Sequence, residues 1–166
     1  PQRQQTRGLS DTVFFSSAET EDIETIINIE SEAFAQPWKH QAIIDELSCP
    51  DASHSVAKAF LQSQTRAAVV AYIFVRFLID EMHIMKIAVA SHWRNRGTGL
   101  ALLRSMLKEG KRRGVATVLL EVRPSNFAAI RLYEKTGFQT IGVRPNYYPQ
   151  TRETALVMSK SLQEEP

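Results

Sequence analysis

At 166 residues the chain is sized for one compact domain. Its 43% hydrophobic and 23% charged content is ordinary soluble usage and excludes bulk disorder and fibrous repeats. Twenty basic against eighteen acidic residues leave a formal charge of +2, too balanced for a dedicated nucleic-acid binder.

The opening residues 1–12 are polar, rich in Gln and Arg and without periodicity, and read as a flexible arm ahead of a single domain over 13–162. No charged-then-apolar leader is present, and no apolar run approaches the ~20 residues of a membrane span. Val13-Phe14-Phe15 predicts a short strand. Thr20 then offers a helix N-cap, and Ile23, Ile26, Ile27 and Phe34 recur at helical spacing as far as Pro37. A shorter helix is expected over 41–47, and strands over 55–61 and 67–78 with a polar hairpin turn between them. Another β-branched strand, 82–90, runs into the basic, glycine-bearing segment 94–99.

From Leu100 to Arg113 the pattern is helical, with Leu100, Leu103 and Leu107 on one face and Gly114 at the C′ position. The stretch 115–122 is nearly all apolar, the mark of a strand covered on both faces. Ser125 or Asn126 caps a helix that Gly137 closes, with Phe138 placed to pack back on it. Strands near 139–144 and 154–160 complete the chain. A meander, a strand–helix–strand unit and a closing hairpin together predict an α+β fold: a mixed, mostly antiparallel sheet flanked by helices.

The segment from Ile87 to Gly99 carries the most chemistry. A strand enters a turn with two glycines that opens a helix, so backbone amides and the positive helix end can approach an anion. Arg94 and Arg96 add charge, and a pyrophosphate suits the pattern; the plain alternative is a tight strand-to-helix turn. Leu102 stands where a dinucleotide fingerprint needs its third glycine, and no GxxxxGK[ST] loop occurs, which disfavours NAD and ATP. Four histidines without ligand spacing and the single Cys49 argue against a metal site. The lone cysteine also fits a reducing cytoplasm.

Arg94-x-x-Gly97-x-Gly99 resembles the acetyl-coenzyme A motif of the GNAT superfamily of N-acetyltransferases. The likeness continues in 120–126 (LEVRPSN), in 128–138 (AAIRLYEKTGF) and in Asn146-Tyr147-Tyr148-Pro149. It is similar above all to the ribosomal-protein-alanine branch and to protein N-terminal acetyltransferases. The resemblance implies a splayed central sheet. In it, the backbone of Ile87, Ala88 and Val89 holds the pantetheine arm, and Arg94, Asn95, Arg96, Gly97, Thr98 and Gly99 hold the diphosphate. Asn126 would contact the coenzyme; its structural alternative is an N-cap.

Glu121 is a charge inside an apolar strand. By strand parity it points away from Val118, Leu120 and Val122. An apolar setting would make it a better base, and the resemblance implies that role; the alternative is a carboxylate paired with Arg123 or another cation. Tyr133 shares a helix face with Asn126, Ala129 and Ile130. The resemblance makes it the general acid toward the leaving thiolate, against the alternative of a core tyrosine. His83 shares nominal parity with Met85 and Ile87, so it either assists Glu121 or is a partly exposed strand histidine.

The aromatic loops holding Phe34 and Trp38, and Tyr147 and Tyr148, are candidate walls for an acceptor peptide. The implied activity is direct transfer of acetyl from acetyl-coenzyme A to the α-amine of a protein N-terminus, a small-subunit ribosomal protein in the resembling branch. The alternatives are a lysine or small-molecule acceptor, or a non-catalytic module that binds coenzyme A or RNA. Neither a membrane nor direct nucleic-acid contact is expected. Two departures stand out: Arg94 replaces a common Gln, and Arg152-Glu153-Thr154 replaces a more acidic stretch, which leaves the acceptor open.

Overall fold

The structure is a computed structural model that describes residues 13–50, 52–59 and 66–163. The expected arm over 1–12 and the hairpin turn near 62–65 lie outside the described residues. The elements run β1 (Val13–Ser16), α1 (Ile23–Ala33), α2 (His40–Ser48), β2 (Ala52–Ala59), β3 (Ala68–Leu78) and β4 (Glu81–Val89). They continue with α3 (Thr98–Arg112), β5 (Thr117–Val122), α4 (Phe127–Lys135), β6 (Gln139–Tyr148) and β7 (Glu153–Ser161).

One seven-stranded sheet has the order β1-β2-β3-β4-β5-β7-β6. Every neighbouring pair is antiparallel except β4–β5, where α3 supplies the crossover that a parallel pair requires. This is the expected mixed, mostly antiparallel architecture.

Two cores cover the two faces. On one, Ile26, Ile29 and Ile43 of α1 and α2 pack on Val56, Tyr72, Phe74 and Ala88. On the other, α3 buries Leu102, Leu103, Met106 and Leu107 against Ile73, Val75, Met82, Ile84, Val118 and Leu120. The stripe on α3 is thus centred one residue from the expected one, leaving Leu100 half-buried at its edge. Gly110 lets α3 approach closely, because a Cβ there would sit 3.2 Å from Leu162 and 3.4 Å from Met82.

Local chemistry explains most element ends. Asn126 caps α4 by accepting from the Ala129 amide at 3.2 Å. Gly114 (φ +80°) and Gly137 (φ +89°) take the left-handed conformation beyond α3 and α4, as expected. Three boundaries differ from expectation. Glu19 rather than Thr20 caps the short 3-10 turn ahead of α1. α1 stops at Ala33, where Phe34 turns extended and carries the chain to the cleft described below. β6 continues to Tyr148 through Pro145, which an edge strand tolerates because no partner needs the missing N–H.

Candidate active site

β4 and β5 pair only from Glu81↔Thr117 to Ile84↔Leu120. Beyond that point β4 pairs with β3 alone, in a register that jumps from Val75↔Ile84 to Phe74↔Lys86. Met85 is therefore the extra residue of a bulge, and bulges bend a strand and re-aim its side chains. The two strands diverge, and a cleft of about 700 Å³ opens between them. Met85, Lys86 and Ile87 line one wall, Glu121, Val122 and Arg123 the other. Asn126, Ala129 and Tyr133 of α4, the loop with Phe34 and Trp38, and Tyr147 and Tyr148 of β6 complete it. Eight sequence-selected residues thus meet in one space: Phe34, Trp38, Ile87, Glu121, Asn126, Tyr133, Tyr147 and Tyr148. A smaller groove of about 440 Å³, between the β1–α1 turn and α2, contains none of the selected residues.

Glu121 faces the cleft, as strand parity predicts, with Val118, Leu120 and Val122 buried on the opposite face. Its setting is not apolar. Arg144 of β6 reaches it across β7, Nη2 to Oε1 at 3.2 Å. A cation partner is therefore present, but it is Arg144 rather than Arg123. Arg123 instead pairs with Glu153, whose other carboxylate oxygen accepts from Ser125 at 3.1 Å. The Arg123 guanidinium also lies 3.6 Å from the centre of the Tyr148 ring.

Tyr133 is 6% exposed and packs on Phe138, with ring centres 5.7 Å apart. It is both a core tyrosine and a cleft-lining one. Burial first, and Tyr148 second, push its phenol above the ordinary tyrosine range, so it keeps its proton near neutrality. Burial likewise pushes Tyr148 up to about 12 against the opposing pull of Arg123, with Tyr147, Glu153 and Glu121 adding smaller upward pulls.

The bulge settles the facing of His83. Met82 and Ile84 before it, and Ile87 and Val89 after it, all pack into the α3-side core, so parity inverts at Met85. His83 consequently lies on the other face from Ile87, with Nε2 3.0 Å from Glu81 Oε2 and outside the cleft lining. Its side chain is partly exposed, and its register partner Leu119 lies on the face of β5 that carries Glu121.

Ala88 and Val89 sit on opposite faces of β4; Ala88 is buried beneath α1, so only its backbone is available to a ligand. After Val89 a 3-10 turn over Ser91–Trp93 leads to the glycine-bearing segment. Asn95 (φ +59°) and Gly97 (φ +80°) are both left-handed there, and Gly97, the N-cap of α3, has no side chain of its own to cap the first turn. A Cβ on Gly97 would meet nothing within 4 Å, while one on Gly99 would sit 3.2 Å from Val89 and 3.9 Å from Leu132. Gly99 thus lets the start of α3 press against β4 and α4, one residue from Tyr133. Thr98 is buried, the Arg94 Nε donates to the Val89 carbonyl at 3.0 Å, and Arg96 lies over Trp93 at 5.2 Å.

Sequence reasoning missed Arg144, Glu30 and Lys86. Glu30 of α1 is 1% exposed and accepts from the Tyr72 hydroxyl, the Lys86 ammonium and, at 2.8 Å, the Trp38 amide. Burial pulls the Lys86 ammonium below the ordinary lysine range, with Glu30 opposing and Arg123 assisting. The signal was available for both: each is a lone charge on an otherwise apolar face, the same cue that singled out Glu121.

The family model for the acetyltransferase (GNAT) family matches residues 23–138, the span that holds the glycine-bearing turn and most of the cleft lining. The chain belongs to the GNAT family. It is similar to the [ribosomal protein bS18]-alanine N-acetyltransferase of Escherichia coli K12, 36% identical over 148 residues, covering 87% of this chain and 94% of that one. The crystal structure of the E. coli ribosomal-protein-S18-alanine N-acetyltransferase superposes with a TM-score of 0.81 at 33% identity, over 93% of this chain and 97% of the other. Ard1 from Thermoplasma volcanium gives 0.81 at 27% identity, over 92% and 99%. Arabidopsis thaliana NAA60 in complex with acetyl-CoA, 17% identical, shares the GNAT fold with a TM-score of 0.81 over 91% and 99%. This GNAT protein is thus an acetyl-transferring enzyme of a family that uses acetyl-CoA. Among its described residues no cluster of three or more His, Cys, Asp or Glu suits a metal ion, and no helix is long and apolar enough to cross a membrane.

Proposed function

We propose that this GNAT enzyme acetylates the α-amine of a protein N-terminus in the cytoplasm, with the N-terminal alanine of ribosomal protein bS18 as the first acceptor to test. The observation that carries the reading is the convergence of Glu121 from β5 and Tyr133 from α4 on one cleft walled by two aromatic segments. The acceptor class follows the named relatives.

The residues present fit acetyl-CoA. The left-handed Gly97 at the N-terminus of α3, flanked by Arg94 and Arg96, suits a diphosphate, with Asn95, Thr98 and Gly99 shaping the turn. The stretch of β4 past Ile84, freed from β5, turns the backbone of Ile87, Ala88 and Val89 toward an amide-bearing arm, and its donors suit a developing oxyanion. Acetyl-CoA supplies the acetyl thioester.

Glu121 acts as general base, directly or through one water, and Arg144 orients its carboxylate. The demand on it is modest, because an α-amine with a pKa near 8 is roughly one-tenth neutral at pH 7, whereas lysine is neutral in well under a thousandth of molecules. Tyr133 serves the leaving sulfur. Reference pKa values of about 10 and about 8.5 already make full proton transfer uphill by roughly 2 kcal/mol. Burial raises the phenol further, so its role is a hydrogen bond that strengthens as charge develops on sulfur. Asn126 contributes twice, as the cap of α4 and as a polar group at the cleft. Phe34, Trp38, Tyr147 and Tyr148 hold the acceptor's first residues.

Thiol release from acetyl-CoA with a peptide carrying the bS18 N-terminus tests the reading. The same assay runs an Nα-blocked lysine peptide, a polyamine and an aminoglycoside. Turnover confined to the free α-amine supports it, and preference for any of the others overturns it.

A further inference from the structure

Lys86 is a charge on the half of β4 that β5 has left, and the bulge at Met85 turns it toward α1. Its ammonium pairs with the buried Glu30 and lies 3.7 Å from the centre of the Phe34 ring and 5.2 Å from that of Trp38. Both rings line the cleft, and both belong to the connection between α1 and α2, which has no helix or strand of its own. Three anchors hold that connection. Glu30 Oε1 takes the Trp38 amide, the Trp38 ring stacks on Phe74 at 6.0 Å and 19°, and Lys86 grips both rings from inside the cleft. The hydroxyl of the fully buried Tyr72 fixes the remaining Glu30 oxygen, so the carboxylate has little freedom to follow a moving lysine.

We infer that Lys86, backed by Glu30, is a positioning residue that clamps Phe34 and Trp38 as a preformed wall for the acceptor's first side chain. A cation held over two aromatic faces and tied to a buried carboxylate fixes ring orientation in a way that apolar contact does not. A preformed wall lowers the ordering cost of peptide binding, and its loss appears in acceptor affinity rather than in the chemical step. The inference rests on the α-amine acceptor reading for its kinetic arm, while its structural arm stands on the clamp itself.

The experiment uses Lys86→Met in the full chain labelled with 5-fluorotryptophan; the chain has two tryptophans, and Trp93, buried in the opposite core, is the internal reference. Because Lys86→Met leaves Glu30 buried without its cation, the double variant Glu30→Gln/Lys86→Met is measured beside it, so that a folding defect of the single variant does not decide the result. The expected result in both is a shifted and broadened Trp38 fluorine resonance beside an unchanged Trp93. With it, the KM for an N-terminal peptide rises about tenfold, while kcat and the KM for acetyl-CoA stay within about twofold. An unchanged Trp38 resonance overturns the clamp. Equal losses in kcat and in both KM values overturn the positioning role. A wild-type enzyme that ignores α-amine peptides while its Trp38 signal still depends on Lys86 would instead overturn the acceptor reading and leave the clamp standing.

Discussion

Gly97→Ala gives the sharpest test of the diphosphate cradle, because the structure contains its own control. Gly97 and Gly114 share φ +80°, and a Cβ at either position meets nothing within 4 Å. Substitution therefore costs no collision at either site, only the strain of an L-residue in left-handed backbone, roughly 1–2 kcal/mol. Gly114 lies beyond the far end of α3, so Gly114→Ala spends that cost on stability alone and lowers the melting temperature by about 2–4 °C per kcal/mol. At Gly97 the turn relaxes out of the left-handed conformation instead, so stability falls less than for Gly114→Ala while the dissociation constant for coenzyme A rises about 5–30-fold. Gly97→Asn recovers most of the loss, since asparagine tolerates the left-handed region and Asn95 already occupies it in the same turn. Calorimetric titration with coenzyme A beside thermal melts reads both quantities. If the two alanine variants lose equal stability and neither loses coenzyme affinity, the turn is a structural corner and the cradle reasoning fails.

The remaining predictions concern the cleft. Glu121→Gln lowers kcat/KM by about 10²–10⁴, the range of a lost general base, with coenzyme binding retained, and an unchanged rate removes Glu121 from the mechanism. Tyr133→Phe acts mainly on kcat, and a leaving group with a lower thiol pKa narrows the deficit; a deficit independent of the leaving group would contradict the sulfur-side role. Asn126→Ala costs about 1 kcal/mol of stability through the lost α4 cap, and Asn126→Asp restores that part, as paired melting curves would register. At alkaline pH, Tyr148 titrates near 12 against about 10 when unfolded, so the folded state holds the proton more tightly. Its contribution to stability is complete below pH 10 and is lost as the pH rises through about 12; ultraviolet titration that finds Tyr148 ionising at 10 would refute the burial account.

Local patterns in the chain foretell much of this enzyme. Apolar spacing at three and four residues places the helices, Asn126, Gly114 and Gly137 mark helix ends, and period-two alternation puts Glu121 on the face away from the core. The glycine-bearing turn after β4 is legible because left-handed backbone and close helix–strand approach demand particular residues at particular offsets. The facing of His83 and the pairing of Arg144 with Glu121 are not legible in the same way. The facing of His83 depends on the Met85 bulge, which no residue type announces. Pro145 reads as a strand breaker, yet β6 passes through it because that strand lies at the sheet edge.

The order of elements and the face each side chain takes within its own element are consequences of near-neighbour chemistry, and the linear chain contains them. Pairings between distant segments are different, because they depend on which strands become neighbours. β7 inserts between β5 and β6 and so brings Arg144 to Glu121; β4 parts from β5 and so exposes Lys86 beside Phe34 and Trp38. Those choices minimise the free energy of the whole sheet and its two cores, a sum over contacts far apart in sequence that no local window contains.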